Sequence, residues 1–163
     1  MNIEVNGHTL YAYTGGKPFN PAQPTLVFIH GVLNDHSVWI LQSRFFAHHG
    51  WNVLAIDQSG HGRSGGTAPK IVADVSTAVL GMLDALGVRH LRAVVGPSYG
   101  GWQALQWALQ YPGHMDAIGV LMSGLTHPAG LSARATLEKL VASPEWHDGH
   151  YHAHGGMRRM LFD

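Results

Sequence analysis

The sequence contains no cysteine among its 163 residues. This absence excludes disulfide bonds, thiolate nucleophiles and cysteine-ligated zinc, whatever the compartment. Charged residues are also scarce, at 12% of the chain, and 10 basic side chains balance 10 acidic ones. Such a balance provides no electrostatic footprint for nucleic acid or for an anionic membrane surface. We therefore expect neither nucleic acid nor membrane as a partner.

Long apolar runs are missing as well. The longest are far shorter than the roughly 20 residues that a membrane-spanning helix needs. The segment from Met1 to Val5 includes an acidic residue and has no apolar signal core. These features predict a cytoplasmic protein. The apolar content of 45% is that of an ordinary globular chain, and this length suits one domain with a sizeable core.

Short apolar runs alternate with amphipathic segments along the chain. Strands are predicted at residues 25–29, 51–56, 91–95 and 118–122, and helices at 37–49, 72–86 and 101–111. Residues 3–13 predict a β-hairpin, because Asn6-Gly7 is a strong two-residue turn signal. This alternation implies βαβ units and an α/β fold, a mainly parallel sheet with helices on both faces.

The helices show apolar residues at helical spacing, which predicts their core-facing sides. In the segment 37–49 these residues are Val38, Leu41, Phe45 and Phe46. In the segment 72–86 they are Val72, Val75, Val79, Met82, Leu83 and Leu86.

The motif G-x-S-x-G occurs at Gly96-Pro97-Ser98-Tyr99-Gly100, between a predicted strand and a predicted helix. The motif alone is weak evidence, but this is the setting that a nucleophile elbow requires. A sharp turn there exposes the serine, and the glycines on either side allow a close approach of backbone. The N-terminus of the following helix favours a developing negative charge. Ser98 is therefore the predicted catalytic nucleophile.

An oxyanion hole needs preorganised hydrogen-bond donors for the charge that develops on the substrate oxygen. The backbone N–H of Tyr99, directly after the nucleophile, is the first predicted donor. The second is expected from the loop after the strand 25–29, with Val32 as the choice and Leu33 as the alternative.

Three polar residues near these loops are interpreted as structural. His30 is expected to hydrogen-bond loop backbone rather than to transfer protons. Asp57 and Arg63 are expected to organise the turn between them by charge-assisted hydrogen bonds.

These motifs resemble the α/β-hydrolase superfamily. The segment 30–39 and the turn 57–64 look like the general esterase and hydrolase branch, over about residues 20–66. From about residue 72 to the end, the chain is similar instead to the homoserine O-acetyltransferase family. The segment 94–108 and the pair Tyr111-Pro112 show this similarity. The chain thus resembles two branches of one fold, joined near Lys70. The resemblance implies an acyl-Ser98 intermediate formed from a small-molecule ester or acyl thioester, with a small alcohol or water as the acceptor. No cofactor is expected.

A serine hydroxyl needs a histidine to take its proton and an acid to orient that histidine. The superfamily resemblance implies that both follow the serine, after later strands, and these C-terminal strands are expected to be missing. We expect a core at residues 1–124 and a partial cap or lid at 125–163. Local substitutes for the triad are His127, Glu138, Glu145, Asp148 and Asp163. The alternative function is a truncated, catalytically incomplete domain.

A histidine-rich stretch lies near the end of the chain. His150, His152 and His154 alternate there, and imidazoles suit zinc, nickel or copper. A metal-binding module is therefore a further alternative, although the expectation is no functional metal. Separately, an unpaired strand at 118–122 would favour a homodimer, because open sheet edges pair with other chains.

Overall fold

The computed structural model describes residues 1–68, 72–122 and 142. The chain divides into two compact units, Met1–Gly124 and Leu125–Asp163, and the fold is that of the first. The predicted cap or lid at 125–163 lies outside the described residues, apart from Ala142.

Strands and helices alternate along the described residues. The strands are β1 (Asn2–Val5), β2 (His8–Tyr13), β3 (Thr25–Ile29), β4 (Asn52–Ile56), β5 (Leu91–Pro97) and β6 (Met115–Leu121). The helices are α1 (Ile40–His48), α2 (Val72–Ala85) and α3 (Tyr99–Gln110), and a short 3-10 helix at His36–Trp39 leads into α1. None of the described helices is long and apolar enough to cross a membrane.

The described strands form one sheet in the order β1-β2-β4-β3-β5-β6. The strand β3 runs parallel to both β4 and β5, and β5 runs parallel to β6. The hairpin β1–β2 joins antiparallel to β4, and Asn6 and Gly7 at its tip have the positive φ angles that this turn needs. The predicted hairpin and mainly parallel sheet are therefore confirmed. Parallel order brings the carboxyl ends of β3, β4 and β5 to the same edge.

The core lies on both faces of the sheet, because residues of β3 and β4 alternate between two clusters. Val27, Ile29, Leu54 and Ile56 pack with apolar side chains of α2 and α3. Leu26, Phe28, Val53 and Ala55 pack with Trp39 and with Ala47 of α1. The prediction of helices on both faces is confirmed.

The predicted core face of α1 is wrong at three of its four positions. Three of its side chains are substantially exposed: Val38 at 45%, Leu41 at 76% and Phe45 at 56%. The buried positions are Trp39, Ser43 and Ala47. The Trp39 ring packs 4.9 Å from the Phe28 ring, centroid to centroid, and this contact sets the rotation of the helix. Helical spacing then turns Val38, Leu41 and Phe45 outward, whereas Phe46 packs against this core as predicted.

Several element boundaries also differ from the prediction by one to three residues. Strand β6 begins at Met115 rather than at residue 118, because Met115 pairs in register with Leu91 of β5. Helix α3 begins at Tyr99 rather than at residue 101, so it starts immediately after Ser98.

Candidate active site

Ser98 is the single residue that links β5 to α3. Its backbone has φ 49° and ψ −119°, a conformation that residues other than glycine rarely adopt. The Ser98 N–H donates to the carbonyl oxygen of Leu121 at 2.8 Å, and the Ser98 carbonyl accepts from the Gly101 N–H at 3.0 Å. Ser98 is exposed. This is the strand, sharp turn and helix that a nucleophile elbow requires.

The two glycines of the motif are required by close backbone contacts. A Cβ atom on Gly96 would overlap the carbonyl group of Gly100. A Cβ atom on Gly100 would lie 2.6 Å from the carbonyl oxygen of Ile29 and 2.8 Å from that of His30. The start of α3 therefore sits directly against the end of β3, and only glycine fits at the contact.

Both predicted oxyanion donors come from segments that border Ser98. Tyr99 is the first residue of α3, where backbone N–H groups have no partner within the helix and the helix dipole favours an anion. The loop after β3 approaches from the other side, because a Cβ atom on Gly31 would lie 3.8 Å from Ser98 Cβ. Val32 follows in that loop with its side chain 59% exposed, and Leu33 has a positive φ of 59°.

His30 is fully buried, at 0% exposure, at the end of β3. Its Nδ1 atom lies 2.7 Å from the carbonyl oxygen of Gly31, and its Nε2 atom accepts from the backbone N–H of Gln58 at 3.2 Å. A neutral ring protonated on Nδ1 satisfies both hydrogen bonds. Burial, which disfavours the protonated ring, lowers the pKa of His30. The prediction that His30 bonds loop backbone is confirmed.

Two buried glutamines extend the hydrogen bonds of His30, and the sequence reasoning did not identify either of them. The Gln58 side chain donates from Nε2 to the His30 carbonyl oxygen at 2.8 Å, and the Gln103 Nε2 donates to Gln58 Oε1 at 2.9 Å. The signal that could have revealed Gln103 is a side-chain amide among the apolar residues of α3, the helix that follows the elbow and is here called the elbow helix.

The Asp57 carboxylate, at 0% side-chain exposure, organises the turn that follows it and also bonds to His36. Its Oδ2 atom accepts from the Arg63 backbone N–H at 2.8 Å, while Oδ1 accepts from the backbone N–H and the Nδ1 of His36. The expected charge-assisted hydrogen bond between Asp57 and Arg63 is therefore present, made by the Arg63 backbone N–H and not by its guanidinium. That guanidinium instead donates to Tyr11 Oη at 3.1 Å and lies over the Tyr11 ring.

Asp35, His36 and Asp57 offer ligand atoms within 4.8 Å of one another. These atoms already serve the fold. Hydrogen bonds from the Ser37 hydroxyl and backbone N–H lower the pKa of Asp35, and His36 is bonded to Asp57. A metal ion would have to displace these bonds, so the cluster is structural as it stands.

The other predicted site residues lie outside the described residues. They are the triad substitutes His127, Glu138, Glu145, Asp148 and Asp163, and the histidines His150, His152 and His154.

Comparisons with known proteins agree with this geometry. The family model for the alpha/beta hydrolase fold matches residues 24–151. A homoserine O-acetyltransferase of Zymomonas mobilis subsp. mobilis is 36% identical over 83 residues, which is 50% of this chain and 22% of that protein. A homoserine O-succinyltransferase of Azoarcus sp. is 36% identical over 86 residues, or 52% of this chain and 23% of that protein.

Among solved structures, a membrane phospholipase A described as a bacterial virulence factor aligns with a TM-score of 0.69 at 27% identity. The alignment covers 79% of this chain and 41% of that one. The chain thus spans less than half of this structure, and its matches span under a quarter of the two acyltransferases. Because the family match covers most of the chain and includes the whole elbow, the chain belongs to the alpha/beta hydrolase fold family of enzymes.

Proposed function

We propose that this chain carries the nucleophile of a serine acyl-transfer enzyme. Ser98 Oγ attacks the carbonyl carbon of an ester or acyl thioester, the alcohol or thiol leaves, and acyl-Ser98 remains. The observation that carries the proposal is the positive φ of Ser98, which places an exposed side chain on the turn between β5 and α3. A strained backbone at such a position is typical of functional sites.

The negative oxygen formed during attack is stabilised, in this proposal, by the backbone N–H groups of Tyr99 and Val32. The loss of one such donor typically costs about 3–4 kcal/mol of transition-state stabilisation. Support comes from the start of α3 at Tyr99 and from the approach of the Gly31 backbone to Ser98.

The acceptor of the acyl group is a small alcohol or water. The homoserine O-acyltransferase relatives favour transfer to an alcohol, whereas the phospholipase neighbour favours hydrolysis. Full activity requires a histidine base and an acid. Without them, the oxyanion hole alone leaves a rate lower by roughly 10⁴-fold or more. We also propose a cytoplasmic location for the protein, as the sequence predicts.

Labelling with a fluorophosphonate probe tests the nucleophile. We expect covalent modification of the folded chain, complete loss in Ser98→Ala, and full retention in Ser37→Ala, which alters an exposed serine elsewhere. Mass spectrometry of intact protein and peptides measures the adduct. A folded, monodisperse chain that stays unlabelled would overturn the proposal and favour the catalytically incomplete domain, as would labelling that survives Ser98→Ala.

The acceptor is tested by acylating the protein with p-nitrophenyl acetate and following the loss of the acetyl group. Faster release in the presence of homoserine, with formation of the O-acetyl product, identifies an acyltransferase. An unchanged release rate identifies water as the acceptor.

A further inference from the structure

Three buried polar side chains belong to the segments that border the proposed site, and each comes from a different segment. His30 follows β3, Gln58 follows β4, and Gln103 belongs to α3. Their exposures are 0%, 5% and 1%. Buried polar groups are costly unless they are hydrogen-bonded, so their bonding pattern shows what they do.

The hydrogen bonds run in one direction, from the elbow helix to the loop after β3. Gln103 donates to Gln58 Oε1 at 2.9 Å, and Gln58 Nε2 donates to the His30 carbonyl at 2.8 Å. The Gln58 backbone N–H also donates to His30 Nε2. The ring then bonds the Gly31 carbonyl. The next residue in the loop is Val32, the proposed second oxyanion donor.

The Gln103 side chain is only half satisfied. Its Oε1 atom is buried and has no hydrogen-bond partner among the described residues. A methionine of similar size would fill the same space and remove this unpaired oxygen, but it could not donate to Gln58 Oε1. The contribution specific to the glutamine is therefore the N–H that it donates to Gln58.

We propose that Gln103 and Gln58 are positioning residues, which hold the loop after β3 in register with the elbow helix. This proposal rests on the proposed function, because the hydrogen-bonded pair Gln103 and Gln58, here called the amide relay, joins the two segments that contain the oxyanion donors. Val32 lies in the loop after β3, and Tyr99 is the first residue of α3. The amide relay sets the separation of these donors. A displacement of about 1 Å in such a site can reduce a rate about 100-fold.

The substitution Gln103→Met tests the relay while preserving side-chain volume. It strands Gln58 Oε1 but removes the stranded Gln103 Oε1, so we expect a small change in unfolding temperature. We expect the rate constant for fluorophosphonate labelling of Ser98 to fall about 10- to 100-fold. Hydrogen exchange should quicken at the amides of residues 31–33.

Two control variants separate positioning from general stability. Gln110→Met makes the same change at an exposed position of α3 and should leave labelling and exchange unchanged. Ile3→Ala truncates a buried side chain of β1, at the opposite edge of the sheet from β5. It should lower the unfolding temperature without slowing labelling of the folded protein or exposing the loop.

The outcomes distinguish this proposal from the one on which it rests. Wild-type labelling with an equal rate in Gln103→Met overturns the positioning role and leaves Ser98 as nucleophile. Absence of labelling in the wild type overturns the nucleophile and, with it, the catalytic purpose of the relay. Hydrogen exchange at the backbone amides of residues 31–33 then decides whether the two glutamine side chains restrain the loop at all. An exchange rate that is unchanged in Gln103→Met shows that they do not.

Discussion

Strained backbone at single residues borders the candidate site on two sides. Among the described residues, the non-glycine positions with positive φ are Asn6, Leu33, Ser98 and Met122. Asn6 lies in a hairpin turn that favours this conformation. Leu33 and Ser98 have no such local reason, and they occupy the loop after β3 and the elbow. Their strain is maintained by the packing around them.

Relief of that strain gives the first prediction. Ser98→Gly should raise the free energy of unfolding by about 1 kcal/mol, because glycine adopts a positive φ without a steric penalty. Ser98→Ala removes the same hydroxyl but keeps the Cβ atom, so it should show no such gain. Chemical denaturation of the two variants measures the difference. Equal stabilities would contradict the assigned strain.

The buried ring of His30 predicts a dependence of stability on pH. Burial lowers its pKa in the folded chain, so below about pH 6.5 the unfolded chain binds a proton that the folded chain does not. The contribution of His30 to stability is complete above that pH. It is lost as the pH falls from there towards the lowered folded pKa.

The exposed His90 supplies an internal comparison for this measurement. Its hydrogen bond to Asp116 raises the pKa of His90, so its effect has the opposite sign and is lost as the pH rises. NMR titration should show the His30 ring protonating well below the pH at which His90 does. Protonation of both rings at the same pH would refute the assigned burial effect.

At the level of secondary structure, the contact between α3 and the end of β3 is the one most sensitive to substitution. Gly100→Ala places a methyl group against the carbonyl oxygens of Ile29 and His30. We expect a loss of about 2 kcal/mol of unfolding free energy, typical of overpacking, and slower Ser98 labelling. Gly113→Ala is the matched control, because a Cβ atom there meets nothing within 4 Å. Equal effects of the two substitutions would show that the close contact does not matter.

At the level of the fold, the described sheet ends at β6, whose only partner among the described strands is β5. Exposed apolar residues lie at this edge: Ile118 at 37%, Leu121 at 46% and Met122 at 87%. We expect a homodimer through this edge, visible by sedimentation velocity and weakened by Ile118→Lys. Leu109→Lys, at an exposed position of α3, should leave association unchanged. A monomer at high concentration would contradict the prediction.

Much of the fold was predictable because its signals are local. The buried strands at β3 and β4 are short apolar runs, and the hairpin turn depends on two adjacent residues, Asn6 and Gly7. The face of α1 was not predictable in the same way. Val38, Leu41 and Phe45 have helical spacing, yet the contact of Trp39 with Phe28 decides which side is buried.

The same division applies to the candidate site. The elbow was predictable from five consecutive residues, since a glycine-flanked serine between a strand and a helix is the pattern of this turn. The partners that surround it do not follow from any local pattern. His36 meets Asp57 across 21 positions, and Gln58 meets Gln103 across 45.

Local chemistry in the sequence therefore determined the strands, the hairpin and the position of the nucleophile turn, because short-range sterics and periodicity suffice for them. Only the tertiary structure decided which buried polar groups bond to one another. Those contacts depend on the strand order β4-β3-β5 and on the close packing of α3 against the end of β3. Both arise from packing between segments distant in the chain, which no local pattern encodes.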